Sequence, residues 1–352
     1  METFGDFEII KILFLATLSF VIAVAWTPLL THFLYKYKMG KSIRDASANT
    51  PVFSKLHQHK AGTPVMGGML VWVTTFVLAI IFFYLAKLFN VEIFDKLNFL
   101  TRAETLLPLG ALVVAALIGL VDDYLNVKKI GPRGGGLRMK HRLVLYTIIA
   151  AFVSWWFVFK LDFDMLWIPF YGNVFIGWWY IPIIIFVVVA TSFSVNEIDG
   201  LDGLAGGTLM SAFLAFGAIA FIQGSYNLAA FCGVILGGLL AFLWFNITPA
   251  RFFMGDTGAM SLGVVLAIIA LLTNTSLLLP VVGLLFVIES LSVIIQVTSK
   301  KIRKKKVFIS APIHHHLEAS GWSESKIVMR FWVISGVTAG LGIMIYLVAW
   351  PK

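Results

Sequence analysis

Cysteine occurs once in 352 residues, at Cys232 inside an apolar run. One thiol excludes an intramolecular disulfide and a cysteine-built metal cage. Charge is scarce too: Asp, Glu, Lys and Arg make up 13% of the chain, against 59% hydrophobic residues. A soluble domain carries roughly twice that charged share. No long polar segment separates the apolar runs, so the chain reads as a single polytopic membrane domain over 1–352. Acids are the rarer sign, 18 against 27 Lys plus Arg. The resulting +9 argues for anionic lipid and against nucleic acid, because the basic residues sit in loops beside apolar runs. Glu2, Asp6 and Glu8 precede the first apolar run with no basic segment before it. That run is therefore expected to be a retained span, not a cleaved leader.

What is present is a series of apolar runs near 9–34, 64–88, 105–121, 143–160, 178–194, 204–222, 227–245, 258–272, 277–298 and 327–350. A span needs roughly 20 residues, so the expectation is an all-α integral membrane protein of about ten transmembrane helices. Lys36, Lys38, Lys41, Arg44, Lys55 and Lys60 follow the first run; Lys128, Lys129, Arg133, Arg138, Lys140 and Arg142 follow the third. Lys300, Lys301, Arg303, Lys304, Lys305 and Lys306 follow the ninth, whereas the alternate loops hold only Lys87, Lys96, Arg102 and Lys160. By the positive-inside rule the odd-numbered loops are cytoplasmic and both termini lie on the outer side. Trp167, Tyr171, Trp178, Trp179 and Tyr180 suggest an interfacial aromatic belt, with a small hairpin at Gly172-Asn173.

The unusual polarity falls in those cytoplasmic loops. Asn196-Glu197-Ile198-Asp199-Gly200-Leu201-Asp202-Gly203 holds three carboxylates and no cation. Asn196, Asp199 and Asp202 recur every third residue and on one helical turn would share a face. Glycines there allow tight turns, and the following helix would offer free N–H groups to an anion. Asp122-Asp123 ends the third run, suited to a divalent ion or a proton acceptor. Lys60 precedes a Gly- and Pro-bearing helix entry at 61–68. Asn246 is followed by Phe253-Met254-Gly255-Asp256-Thr257-Gly258, which puts a carboxylate where backbone amides would meet an anion, with Phe253 placed to stack on a base. His314-His315-His316 has poor zinc spacing and suits phosphate contacts better. Glu289, inside the ninth run, is either functional or a buried partner for Ser290 or Ser292.

Hard oxygen donors without sulfur favour Mg²⁺ or Mn²⁺ over zinc, and Mg²⁺ amid Lys, Arg and His is the equipment of phosphate chemistry. A site embedded in a membrane points to a lipid as one substrate. From Lys60 to about Trp332, the stretches KAGTPVMGG, GLVDDY, VNEIDGLDGLAGG, FFMGDTGAMSLG and APIHHHLEASGW resemble the bacterial phospho-N-acetylmuramoyl-pentapeptide-transferases. GTPVMGG and APIHHHLE are the specific elements; DGLDG and GDTG recur across polyprenyl-phosphate sugar-phosphate transferases.

The resemblance implies ten helices in the bacterial inner membrane, a homodimer, and an Mg²⁺-dependent site facing the cytoplasm. It implies that UDP-MurNAc-pentapeptide and undecaprenyl phosphate give lipid I and UMP. By position it puts Mg²⁺ on Asp256, with Asp123 as a second ligand, and Asp122, Asp123 and Asp199 around the reacting phosphates. Asn196 and Asn246 match site asparagines; Lys60, Gly200, Leu201, Asp202 and Phe253 match a uridine pocket. Lys140 and Arg142 fall among the substrate-binding positions, His314, His315 and His316 match the histidine motif, and Glu289 matches a glutamate of the ninth helix. Three positions depart from the family: Asn126 and Arg142 stand where lysines are usual, and Phe193 where asparagine is common. Lys128, Lys129 or Lys140 are candidates to replace the lost cation. Two rival functions are a GlcNAc-phosphate transferase, which would not be expected to carry the triple histidine, and an anion transporter, whose polar residues would line the midplane.

Overall fold

The computed structural model describes residues 2–40, 60, 62–89, 91–102, 104–132 and 135–350, with side chains from Asp6 onward. Lys41, Arg44 and Lys55 of the first basic loop, Ala61 beside Lys60, and Arg133 lie outside the described residues.

The chain forms α1 (Glu2–Lys36), α2 (Met69–Phe89), a short α3 (Glu92–Leu97), α4 (Leu106–Val127) and α5 (Met139–Lys160). A hairpin of β1 (Met165–Ile168) and β2 (Gly172–Phe175) follows. Then come α6 (Tyr180–Ile198), α7 (Leu204–Ile222), α8 (Tyr226–Asn246) and α9 (Gly255–Leu272). After α10 (Leu279–Val282) and α11 (Leu284–Ile302) the chain closes with α12 (Ile313–Ala319) and α13 (Glu324–Ala349). Among the described residues nine helices are long and apolar enough to cross a membrane, and the pair 276–282 and 284–302, bent by 81°, makes ten if it crosses as one broken span. This is the expected all-α multi-pass architecture. The single straight run expected at 277–298 is broken at Gly283, just after Pro280.

Burial sorts the helices by place in the bundle. Every residue of α9 from Asp256 to Leu271 is buried, so this helix, apolar on all sides, is the central post. It packs on α4 and α6. The outermost helices show the reverse: on α13, Val333, Val337, Leu341, Met344 and Val348 form an exposed apolar stripe at helical spacing, a surface for lipid tails. In α11 the usual amphipathic order is inverted. Its buried face carries Glu289, Ser292, Gln296 and Ser299, and its exposed face Ile288, Leu291, Ile295 and Ile302. A helix with polar residues inward and apolar residues outward fits hydrocarbon as its solvent.

Two glycine contacts bring the first loop to the central post. A Cβ on Gly68 would stand 2.3 Å from Gly258 Cα, so these backbones approach as only glycines allow. Beside them, Gly67 N–H donates to Phe253 O at 2.8 Å and Phe253 N–H to Pro64 O at 2.8 Å. The motif around Lys60 is thus stitched to the loop leading into α9.

At the far end, the hairpin exists but turns through Pro169, Phe170 and Tyr171; Gly172 pairs with Ile168 and opens the second strand. Only part of the aromatic belt is exposed. Tyr171, Trp178 and Trp179 are, whereas Trp167 and Tyr180 are fully buried, Trp167 against Tyr346 and Trp350.

Candidate active site

Five connections between helices meet at one end of the bundle. Helix α4 continues past the apolar run expected to end at 121, so Asp122 and Asp123 are helical and buried. Adjacent helical residues point about 100° apart, and the two carboxylates accordingly do different work. Asp123 accepts the backbone N–H groups of Asp256 at 2.9 Å and Thr257 at 3.0 Å. It caps the start of α9, supplying the anion that the orphan amides of a helix N-terminus attract. Those amides, expected from the sequence to meet a bound phosphate, are therefore taken by Asp123. Gly255, with φ of 73°, leaves room for that carboxylate; a Cβ there would stand 2.6 Å from Asp123 Oδ2.

Asp122 turns the other way, toward Arg142 of α5. The Arg142 guanidinium spans three partners: Nε lies 2.7 Å from Asp122 Oδ2, and Nη2 2.6 Å from Asp256 Oδ2. Nη1 donates to Asn196 Oδ1 at 3.0 Å. Asn196 Nδ2 in turn donates to Asp256 Oδ1 at 2.6 Å. The fork of one arginine thus fixes residues from α4, α6 and α9, which a single lysine ammonium could not do with the same geometry. Arg142 is the cation of this centre. Lys128, Lys129 and Lys140, considered as replacements for the missing family lysine, are all exposed.

The run from Asn196 to Asp202 does not form one helical turn. Helix α6 ends at Ile198, Asp199 is its C-cap, and α7 begins at Leu204 after a tight turn. Asn196 consequently faces the acid centre while Asp202 faces away, into a second cluster. There Lys60 Nζ lies 2.7 Å from Asp202 Oδ1 and 5.9 Å from the centre of the Phe253 ring. Leu201 is buried beneath. Of Lys60, Gly200, Leu201, Asp202 and Phe253, expected as one pocket, the structure joins Lys60, Asp202 and Phe253, with Leu201 next to Asp202 in the chain, and puts Gly200 against His314. Asn246 instead joins the backbone: its Oδ1 accepts from Gly203 N–H and its Nδ2 donates to Phe252 O, both at 2.8 Å. It holds two loops in register.

The three histidines separate as consecutive helical residues must. His314 is fully buried with Nδ1 3.0 Å from Glu289 Oε2, and a Cβ on Gly200 would fall 2.2 Å from His314 Nε2. Gly200 is thus the floor on which this imidazole rests. His315 Nδ1 lies 3.1 Å from Glu318 Oε2. His316 Nδ1 accepts the Ile309 N–H at 3.2 Å, on the outer side of α12. Glu289 uses its carboxylate on His314; Ser290 bonds Ser194, and Ser292 bonds the Glu289 carbonyl. The glutamate therefore belongs to the site and is not held by its neighbouring hydroxyls.

Sequence reasoning missed two side chains here. Gln296 accepts the Val307 and Phe308 N–H groups at 2.9 and 3.0 Å and donates to Phe308 O at 2.8 Å. It clamps the loop that carries α12 over the acids. Trp332 Nε1 donates to Gly203 O at 3.0 Å, fixing the turn from α13. A glutamine one helical face from a glutamate in an apolar run was the available signal for the first.

Among the described residues no three His, Cys, Asp or Glu side chains converge as a ready metal cage. Mg²⁺ does not need one, since it is commonly held by one or two carboxylates with waters and substrate phosphates completing the shell. Asp122 and Asp256 fit that donor set: both are hard carboxylates flanking one cation, and Asp122 Oδ2 is buried without a well-aligned donor. Asp123, expected as a metal ligand, is committed to the α9 amides.

Residues 105–274, which contain the acid centre, match the model of glycosyl transferase family 4. The chain is 41% identical over 333 residues to the phospho-N-acetylmuramoyl-pentapeptide-transferase of Bacillus anthracis strain A0248, covering 94% of this chain and 96% of that one. Its likeness to the enzymes of that name from Bacillus thuringiensis strain Al Hakam and Bacillus cereus strain AH187 is 40%, with the same coverage. Shared identity of 41% over 94% of its length makes this chain a member of the phospho-N-acetylmuramoyl-pentapeptide-transferase family, membrane enzymes that move a sugar phosphate onto a polyprenyl phosphate.

Proposed function

We propose that the enzyme transfers phospho-N-acetylmuramoyl-pentapeptide from UDP-MurNAc-pentapeptide to undecaprenyl phosphate, giving lipid I and UMP, in a Mg²⁺-dependent reaction at the cytoplasmic face of the bacterial inner membrane. The observation that carries this reading is the turn from Asp199 to Gly203, which joins two unlike clusters. On one side stand Arg142, Asp122, Asp256 and Asn196; on the other stand Lys60, Asp202 and Phe253. The first suits a pyrophosphate, and the second a planar base with an N–H edge. A nucleotide lying along the turn would span both.

In the reaction a phosphate oxygen of undecaprenyl phosphate bonds to the phosphorus that bears the sugar. The bond from that phosphorus to the oxygen bridging toward uridine breaks, and its electron pair leaves with UMP. The lipid phosphate is already anionic near neutral pH, so the enzyme's task is orientation and charge compensation. Arg142 can donate to the pyrophosphate oxygens, and Asn196 keeps Asp256 aimed. Asp199, at the turn, sits where a carboxylate could hold a proton from the lipid phosphate. His314 closes over the loop at Gly200, with His315 packed beside it. Asp256 and Asp122 would hold Mg²⁺, which when bound neutralises charge on the transferring phosphate. The exposed apolar face of α11, opposite the face that carries Glu289, offers a path for the polyprenyl chain. The homodimer rests on the family resemblance alone.

The test is to incubate the purified protein with undecaprenyl phosphate and either UDP-MurNAc-pentapeptide or UDP-GlcNAc, reading UMP release and the lipid product. UMP release with the muramoyl donor is expected. Turnover with UDP-GlcNAc alone would move the assignment to the GlcNAc-phosphate transferases.

A further inference from the structure

Glu324 opens α13 in an ordinary first-turn position, and no motif marks it. Its contacts are not ordinary. Glu324 Oε1 lies 2.5 Å from Lys60 Nζ and accepts the backbone N–H of Asp202 at 2.7 Å. Lys60 Nζ is at the same time 2.7 Å from Asp202 Oδ1, and Asp202 Oδ2 accepts the Ala250 N–H at 3.1 Å. The Lys60, Asp202 and Glu324 side chains are only 11%, 4% and 14% exposed. One ammonium therefore serves two largely buried carboxylates, 122 residues apart in the chain.

Both oxygens of Asp202 are thus engaged in the ligand-free protein. An imide N–H of a uracil ring can share Oδ1 with Lys60 or displace it, and displacement gives the base the whole oxygen. Were Asp202 the only partner of Lys60, displacement would leave an ammonium unpaired in a poorly solvated pocket, which is strongly unfavourable. Glu324 removes the difficulty by keeping the ammonium paired while Asp202 is released. It also holds Lys60 beside the Phe253 ring, where the base would stack.

We propose that Glu324 is a positioning residue of the nucleotide pocket, a second seat for Lys60 that frees Asp202 to read the base edge. This rests on the reading above that the pocket takes the uridine of a UDP-sugar. A purely structural role, stapling α13 to the turn through the Asp202 amide, predicts different behaviour, because that bond needs an acceptor but not a charge.

Glu324→Gln keeps an acceptor and loses the charge; Glu324→Asp keeps the charge on a shorter stem. In steady-state assays with the donor and the lipid varied separately, Glu324→Gln is expected to raise KM for the UDP-sugar about tenfold, the size of one hydrogen bond to a charged group. Its kcat and lipid KM should stay within about twofold of the wild type, and Glu324→Asp should restore most of the donor KM. In a Lys60→Met background, Glu324→Gln should add less than about twofold, since both substitutions act through one ammonium. A fall in kcat at unchanged donor KM, or effects of Lys60→Met and Glu324→Gln that multiply, would overturn the proposal in favour of the staple. Stabilisation of the wild-type protein by UMP in a thermal melt separates the two levels of failure. Without that stabilisation the uridine pocket itself is misplaced and this role falls with it. If UMP stabilises but UDP-GlcNAc is the donor, only the sugar assignment falls, and the Glu324 variants are read with that donor.

Discussion

His314 Nδ1 and Glu289 Oε2 lie 3.0 Å apart, both side chains fully buried. The buried acid at this distance fixes the imidazole through Nδ1 and leaves Nε2 directed at the turn that begins at Gly200. Orientation of one ring nitrogen by a buried acid is worth roughly ten- to a hundredfold in comparable polar sites. Glu289→Gln is therefore expected to lower kcat by about that factor with little change in either KM. His314→Ala should lower it further. His316→Ala, removing only a bond to the Ile309 amide, should leave kcat near the wild-type value. Equal losses at His314 and His316 would show that the motif acts only through the stability of α12.

The adjacent acids of α4 should separate from Asp256 under substitution. Asp256→Asn keeps shape and loses the charge facing Arg142, so turnover should vanish while detergent-extracted yield and melting temperature hold. Asp123→Ala removes the cap from two amides of the central helix, and a lost cap costs about 1–2 kcal/mol. This variant should melt earlier and lose activity together with fold. A Mg²⁺ titration of the melting temperature gives the second readout: the ion should stabilise the wild type and Asp123→Asn, but not Asp256→Asn.

Phe253 stands half-buried beside Lys60. Phe253→Ala should raise KM for the UDP-sugar and leave lipid KM nearly unchanged, because stacking of a base on an aromatic ring is worth about 1–3 kcal/mol. If only lipid KM moves, the nucleotide lies elsewhere.

Much of this was legible in one sequence, and the exceptions have physical causes. Ten spans follow from hydropathy because a bilayer requires long apolar helices. The bend at Gly283 does not, because the apolar run continues across it from Leu277 to Ile288. The residue types of the site were visible as polarity at helix ends, where charge is costly unless used. Their division of labour was not. Asp122 and Asp123 are neighbours in sequence but lie on different helix faces, one toward Arg142 and one toward the α9 amides. Asn196 and Asp202 share a period of three, yet a turn intervenes and sends them to separate clusters. Glu324 and Gln296 sit at unremarkable positions, and only tertiary packing gives them partners.

The last turns of α11 and the loop that follows carry two features that should respond to different changes. Lys300, Lys301, Arg303, Lys304, Lys305 and Lys306 are exposed and follow a span end, where each cation near an anionic leaflet is worth about 1 kcal/mol. Gln296 is buried and holds Val307 and Phe308 by three hydrogen bonds, and through them the approach of α12 to the acids. Neutralising Lys304, Lys305 and Lys306 should lower membrane yield or lipid affinity modestly, with an effect that shrinks as salt is raised. Gln296→Ala should instead leave yield and salt dependence alone and lower kcat, because the backbone it held can now drift and His314 with it. Gln296→Glu tests the same clamp by its chemistry: the acceptor for the two amides remains, but the donor to Phe308 O is replaced by a repelling charge, so its kcat should fall between those of the wild type and Gln296→Ala. Both groups of variants are compared by kcat and extracted yield at two salt concentrations. A loss of kcat confined to the lysine variants would assign the catalytic role to the basic run and leave Gln296 a bystander.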